Sequence, residues 1–339
     1  MNKKIISGIL ISAVLVYLSF RGINFQDTFL HFKNIQLSYV AIFVAFTLLM
    51  QTIRSYRWGV ILQPLQKIDQ LSLFSVTAVG FLAIAAIPAR LGELARPYLI
   101  SKKSSIKMSS ALGTIVVERV LDVFSVLIIA VVILMIMDLP SWMIKSSIIL
   151  LLLMTTMLVC IVGLILRREK ALQIINLILN KLPGKFAHNI DDLIHHFTDG
   201  FQVIINIKCL LYLFFLSAII WLLDFAAIYT LLKAFNFALP VIASFVLLVV
   251  LVAGITIPTA PGYIGNWHFA CILALTEIFP WGITKPEALS FAIVYHFLSM
   301  AIVVILGVTF LPFNKFSVSD MKKQVNKNNV NEDSKQQKS

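Results

Sequence analysis

Residues 111–137 read ALGTIVVERVLDVFSVLIIAVVILMIM, and this stretch decides the fold. Its apolar residues run on without the alternation of a half-buried strand, for longer than the roughly 20 residues that cross a bilayer core as a helix. A backbone in lipid must satisfy its own hydrogen bonds, which leaves helices or closed barrels. The continuous Leu/Ile/Val pattern selects the helix. The only charges in the stretch are Glu118, Arg119 and Asp122, about 10 Å in by helical rise if the span starts at Ala111.

Outward from this segment the pattern recurs. Residues 5–20, 37–53, 142–166, 209–232 and 286–311 also read as full spans, giving six. The 339 residues are 59% hydrophobic and 13% charged. A soluble domain carries about 25% charged residues, so lipid must be part of this chain's solvent. The expected fold class is all-α, a polytopic helical membrane protein. Lys3 and Lys4 before an apolar run resemble a secretion signal, but Arg21-Gly-Ile-Asn follows in place of a small-residue cleavage site. The run is read as a retained first helix.

Two further apolar segments, 71–87 and 240–257, each run into a proline. The first continues Pro88-Ala-Arg90-Leu-Gly92-Glu93-Leu-Ala-Arg96, the second Pro258-Thr-Ala-Pro261-Gly262-Tyr-Ile-Gly265. Positive charge decides their topology, because short cytoplasmic loops collect Lys and Arg. If 71–100 enters and returns on one side, then Arg54, Arg57, Lys67, Lys102, Lys103, Lys107, Arg167, Arg168 and Lys170 all fall inside. Both segments are therefore expected to be re-entrant hairpins, 71–100 and 240–281, which implies a cavity between them. Both termini are expected in the cytoplasm of a cell-membrane protein.

Shifting the chain by 170 residues superposes the hairpins: Pro88 falls on Pro258, Gly92 on Gly262, and Arg54 on Asp224. Span, hairpin and span recur in the same order, with the two halves entering the membrane from opposite sides. That arrangement is a transporter pattern. The expected organisation is a helical membrane domain over 1–313, with halves 5–166 and 209–311, and a polar disordered tail over 314–339. Between the halves lies a cytoplasmic insert, 167–208, with six Lys/Arg and four Asp/Glu. Its Phe186, Ile190, Leu193, Ile194, Phe197, Phe201 and Ile204 recur at helical spacing. This suits a helix lying on the membrane surface or packed on the span ends.

The net charge of +12 is the positive-inside pattern rather than a nucleic-acid surface. Cys160, Cys209 and Cys271 are too far apart for a metal or redox pair. The chain shows no phosphate-binding loop, dinucleotide fingerprint, HExxH or nucleophile elbow, so no cofactor or metal is expected.

Ionisable groups at membrane depth are costly and face the protein interior. Three clusters stand out. Arg54 and Arg57, three apart on one helix face beside Trp58, suit either inner-side anchoring or a phosphate clamp. At the first hairpin tip, Glu93 is three residues from both Arg90 and Arg96 and can pair with either, while Pro88 and Gly92 free the turn. The third cluster, Glu118, Arg119 and Asp122, needs partners from other helices, and the hairpin arginines are the candidates. The second tip is nearly uncharged, and its broken helix (Pro258, Pro261, Gly262, Gly265) could offer amides to an anion. His268 and His296 fit a hydrogen-bonded core better than a proton relay.

Pro88-x-Arg90-x-Gly92-Glu93-x-x-Arg96, Glu118-Arg119-x-x-Asp122 and Pro258-x-x-Pro261-Gly262-x-x-Gly265, taken in order, resemble the lysylphosphatidylglycerol synthase transmembrane-region family, also called the flippase-like or UPF0104 family. The resemblance covers roughly residues 5–311. It implies re-entrant helices and lipid translocation, with a fused transferase domain in the best-understood members. No such domain follows residue 311 here, so aminoacyl-lipid synthesis by this chain alone is not expected. Tyr263 stands where the resemblance leads one to expect glycine. The expected function is translocation of an anionic or modified lipid. Arg54, Arg57, Arg90 and Arg96 would hold the head group, and Glu93, Glu118 and Asp122, with Arg119, would balance them in the empty state. Two alternatives stay open: a membrane-embedded lipid-modifying transferase using Glu93 or Glu118 as base, or a scaffold docking a separate synthase on the insert. The expected partners are membrane lipids, anionic phospholipid or lipid-linked glycan, and not nucleic acid. A homo-oligomer is left open.

Overall fold

The computed structural model describes residues 3–23, 25–87, 92–137, 206–256, 260–278 and 282–314, with isolated positions between 144 and 203. All regular structure among them is helical. The helices are α1 (Lys3–Phe20), α2 (Phe25–Phe32), α3 (Leu37–Leu62), α4 (Gln70–Ala86), α5 (Ala95–Lys103) and α6 (Met108–Ile136) in the first half. In the second they are α7 (Ile207–Ala234), α8 (Ile242–Thr256), α9 (Asn266–Ile272, extended by a π-turn over Leu273–Ile278) and α10 (Lys285–Phe310).

Among the described residues, α3, α6, α7 and α10 are long and apolar enough to cross a membrane. They are multi-pass membrane helices, and large apolar side chains such as Met135, Phe215, Phe297 and Ile305 stay exposed on them. That surface would be a liability in water and is at home in lipid. The expected span 142–166, the surface helix 186–204 and the tail beyond 314 lie mostly or wholly outside the described residues. At the end of the insert, a Cβ on Gly200 would sit 2.5 Å from the Ser110 carbonyl oxygen, and Val203 is buried. This short stretch is thus packed on the start of α6.

Helix ends follow local chemistry. The Asp69 carboxylate caps α4 by accepting from the Ser72 amide at 2.8 Å. Asn206 caps α7, and Thr284 with Glu287 forms a capping box at α10. Just past the end of α7, Asn236 has φ +57, and its amide donates to the Asn34 carbonyl, tying α7 to the start of α3.

The packing is paired. α3 and α7 make the most extensive interface. α4 packs on α3, α5 and α10, while α8 packs on α7, α9 and α6; α5 rests on α6 as α9 rests on α10. Exchanging the halves preserves these contacts, which is the arrangement expected of an internal repeat. The hairpin arms are short: α4 and α8 have 17 and 15 residues, α5 and α9 have 9 and 7. At 1.5 Å per residue α5 reaches only about 14 Å, and α9 about 10 Å before its π-turn extends it.

Two boundaries differ from the sequence expectation. α3 runs nine residues past 53 to Leu62, because the polar residues that seemed to end the span face the protein rather than water. Asn314, placed at the start of the tail, is buried and donates to the Ser75 hydroxyl at 2.5 Å and the Phe310 carbonyl at 2.8 Å. It belongs to the packed domain.

Candidate functional site

The first hairpin folds back on itself at Gly92. A Cβ there would lie 2.3 Å from the Ala83 carbonyl oxygen, so only glycine lets the returning chain pass over the end of α4. One turn on, Arg96 enters the protein across α4 at Gly80, where an added Cβ would meet the Arg96 Cγ at 2.2 Å. The Arg96 guanidinium is buried, 4.2 Å from the Trp58 ring centroid, and donates twice to Glu118 of α6, at 2.9 Å each. Its bidentate partner is therefore Glu118 and not the neighbouring Glu93 allowed by the spacing. The parallel two-bond fork is the geometry that a carboxylate or a phosphate offers an arginine.

Arg57 is fully buried and joins three helices. It donates to Asp122 of α6 at 2.8 Å and to the Ser217 hydroxyl of α7 at 2.8 Å. Glu118 lies 3.9 Å from it. Arg119 donates to Glu118 at 2.9 Å and approaches Asp122 at 3.5 Å. Its side chain is 53% exposed, whereas that of Glu118 is 1% exposed. Three guanidinium groups thus share two carboxylates in direct ion pairs, and the exposed member is a cation. Glu93, half-buried, acts on Arg119 at longer range as a counter-charge on the hairpin. Glu118 is the eleventh residue of α6, about 15 Å from its start. That depth is where ion pairs form only with good geometry and further hydrogen bonds.

Arg54 departs from its expected neighbour. It faces Phe81, with 5.9 Å from guanidinium carbon to ring centroid, and its strongest attractive partner is Asp224 of α7. These are the two residues that the 170-residue shift superposes, on the two helices that share the most extensive interface. Both are half-buried. Arg57 pairs with Asp122, while Arg54 makes no ion pair among the described residues and feels both Asp224 and Asp122 at longer range. Arg90 and Pro88, like Pro258, lie outside the described residues.

The second tip is held differently. Gly262 and Gly265 have φ +71 and +98, and Tyr263 has φ +59, a conformation that favours glycine. The Ala260 amide donates to the Ser12 hydroxyl at 3.1 Å, and that hydroxyl donates to the Ile264 carbonyl. An added Cβ on Gly265 would meet the Ser12 carbonyl oxygen at 2.7 Å, so α1 clasps this tip. Pro261 opens its one-turn helix.

With the hairpins, the half-to-half packing and the ion network in place, the chain can be set beside known proteins. A model of the lysylphosphatidylglycerol synthase TM region matches residues 5–307. The chain belongs to this family. A UPF0104 membrane protein of Methanothermobacter thermautotrophicus is 23% identical over 299 residues, covering 83% of this chain and 87% of that protein. No solved structure matches.

Sequence reading missed Gly80, Ser217 and Ser12, gave Trp58 another role, and noticed Asp224 only as the counterpart of Arg54. Gly80 and Ser217 sit in apolar runs and carry no signal of their own. Trp58 beside Arg57 looked like an interfacial aromatic. Among the described residues, no group of three or more His, Cys, Asp or Glu side chains is placed to hold a metal.

Proposed function

We propose that this member of the lysylphosphatidylglycerol synthase TM region family translocates a lipid with an anionic head group between leaflets. The observation that carries the reading is the network of Arg57, Arg96 and Arg119 around Glu118 and Asp122. Three cations share two anions at membrane depth, and Arg119 is the exposed one. A phosphate arriving at Arg119 can take the place of a carboxylate oxygen, since both fit the guanidinium fork. Arg96 would then leave Glu118 and carry the first hairpin with it, turning about Gly92. Glu118 and Asp122 hold the arginines when no lipid is bound, and Arg54 with Asp224 lies along the route between halves. Arg90, six residues before Arg96 in sequence, would add a further cation for the head group. Both termini face the cytoplasm, so the first hairpin loads from the inner leaflet.

The test is leaflet exchange of a labelled phosphatidic acid and a labelled phosphatidylcholine in liposomes holding the purified protein, wild type beside Arg96→Ala and Arg119→Ala. The expected result is protein-dependent exchange of the anionic probe, reduced at least about tenfold, the equivalent of one lost charge-assisted contact, in each folded variant. Unchanged exchange in both would overturn the site, and no exchange of either probe by wild type would overturn the function.

A further inference from the structure

The second half carries a cluster that the lipid site does not use. His268 of α9 and His296 of α10 have ring centroids 4.9 Å apart in an edge-to-face arrangement. Trp267 is 5.0 Å from the Tyr295 ring and 5.5 Å from that of His296. The place of this cluster in the repeat is informative. Counted from the first residue of each helix, Arg96 is second in α5, and Glu118 and Arg119 are eleventh and twelfth in α6. Trp267 is second in α9, and Tyr295 and His296 are eleventh and twelfth in α10. Each cluster joins the second arm of a hairpin to the helix on which it rests, α5 to α6 in the first half and α9 to α10 in the second.

We propose that His268 and His296 form a proton-binding site that couples movement of the second hairpin, and with it lipid translocation, to a proton. The coupling rests on the transport reading above; the proton site itself does not. His296 Nε2 lies 2.6 Å from the Gly262 carbonyl oxygen. A carbonyl only accepts, so Nε2 carries the hydrogen and fastens the tip where the chain turns through positive φ. His268 is buried, and its Nδ1 has no hydrogen-bond partner among the described residues. That nitrogen can take a proton. Two imidazolium rings at this separation in a low-dielectric setting repel strongly, so the pair holds one proton at a time.

Among the described residues, no carboxylate pairs with either ring. The titratable groups with described side chains on the packed elements are Tyr17 of α1, His31 of α2, Tyr39, Arg54, Tyr56 and Arg57 of α3, Cys271 of α9, Glu277 of its π-turn, and Lys285, Glu287 and Tyr295 of α10; Asp224 of α7 acts on Tyr295. None of them forms an ion pair with either ring among the described residues. A proton on His268 therefore makes a cation with no ion-pair partner among the described residues, near mid-span, since His296 is about 17 Å along α10. The cation is relieved when the tip opens to water or an anionic head group comes near. The proton enters from one side, resides on His268 Nδ1, and leaves unchanged on the other.

Two measurements on the full chain test this. The first is tryptophan fluorescence against pH, taken as the difference between wild type and Trp267→Phe. Imidazolium quenches an adjacent indole, so a one-proton quench step below about pH 7 is expected. His268→Gln should abolish the step, and His296→Gln should move it. Absence of the step in folded wild type, or its survival in both histidine variants, overturns the proton site. The second is the leaflet distribution of labelled phosphatidic acid in liposomes with a pH difference of one unit. One coupled proton biases it by up to about tenfold, the equivalent of about 1.4 kcal/mol. An equal distribution in wild type that still exchanges the probe overturns the coupling alone. No exchange at any pH overturns the transport reading and the coupling with it, and the proton site is then judged by the fluorescence step.

Discussion

Removing Glu118 should show whether the buried network is held by charge. Glu118 accepts three guanidinium contacts at 2.9 Å, two from Arg96 and one from Arg119, with Arg57 at 3.9 Å. Glu118→Met leaves Arg96 buried between Trp58 and an apolar side chain. Arg96→Met leaves Glu118 with Arg119 alone at close range. Breaking a buried pair from one side costs about 3–5 kcal/mol, whereas replacing both members by apolar groups of similar size is often near neutral. The double variant Arg96→Met/Glu118→Met should therefore be more stable than the sum of the singles implies, by about 2 kcal/mol or more. Equilibrium unfolding in mixed micelles of all four proteins gives the cycle. Singles costing under about 1 kcal/mol, or additivity within about 0.5 kcal/mol, would refute the reasoning.

Gly80→Ala should destabilise the protein, although alanine normally gains about 0.5–1 kcal/mol over glycine in a helix. The new Cβ would occupy the path of Arg96, and a raised melting temperature would contradict this. Ser12→Ala removes the hydroxyl that joins the Ala260 amide and the Ile264 carbonyl. It should increase labelling of a cysteine placed at Ala260, measured against the same cysteine with Ser12 intact. Asp69→Ala should cost about 0.5–1 kcal/mol through loss of the α4 cap. The Ser72 amide and hydroxyl hold the Asp69 carboxyl below its usual range. This stability is present above the ordinary carboxylate value of about 4 and is lost as pH falls through the lower folded value. Wild type and variant should thus converge in melting temperature at acid pH.

The sequence carried the helical membrane fold because lipid leaves the backbone few choices, and it carried the hairpins because proline and glycine interrupt otherwise continuous runs. The superposition of Arg54 on Asp224 was legible by arithmetic, and the structure places the two on α3 and α7, the helices that share the most extensive interface. The pairing inside the network was not legible. Glu93 and Arg96 are three apart, but Arg96 reaches Glu118 because Gly80 clears a path that no local spacing reveals. Arg57 finds Ser217 across 160 residues, and Ser12 finds the second tip across about 250. Such contacts depend on which helices pack together. The end of α3 was misjudged for a related reason: Arg54 and Arg57 looked like the edge of a span because charge usually marks water, and here it marks the protein interior.

The most direct test of the central claim follows one labelled phosphatidic acid through wild-type liposomes, reading its leaflet by surface quenching and its mass after extraction from the same sample. A lipid that changes leaflet with its mass unchanged is the result expected of a translocator. A change of mass, or a lipid that stays where it was added, would contradict it.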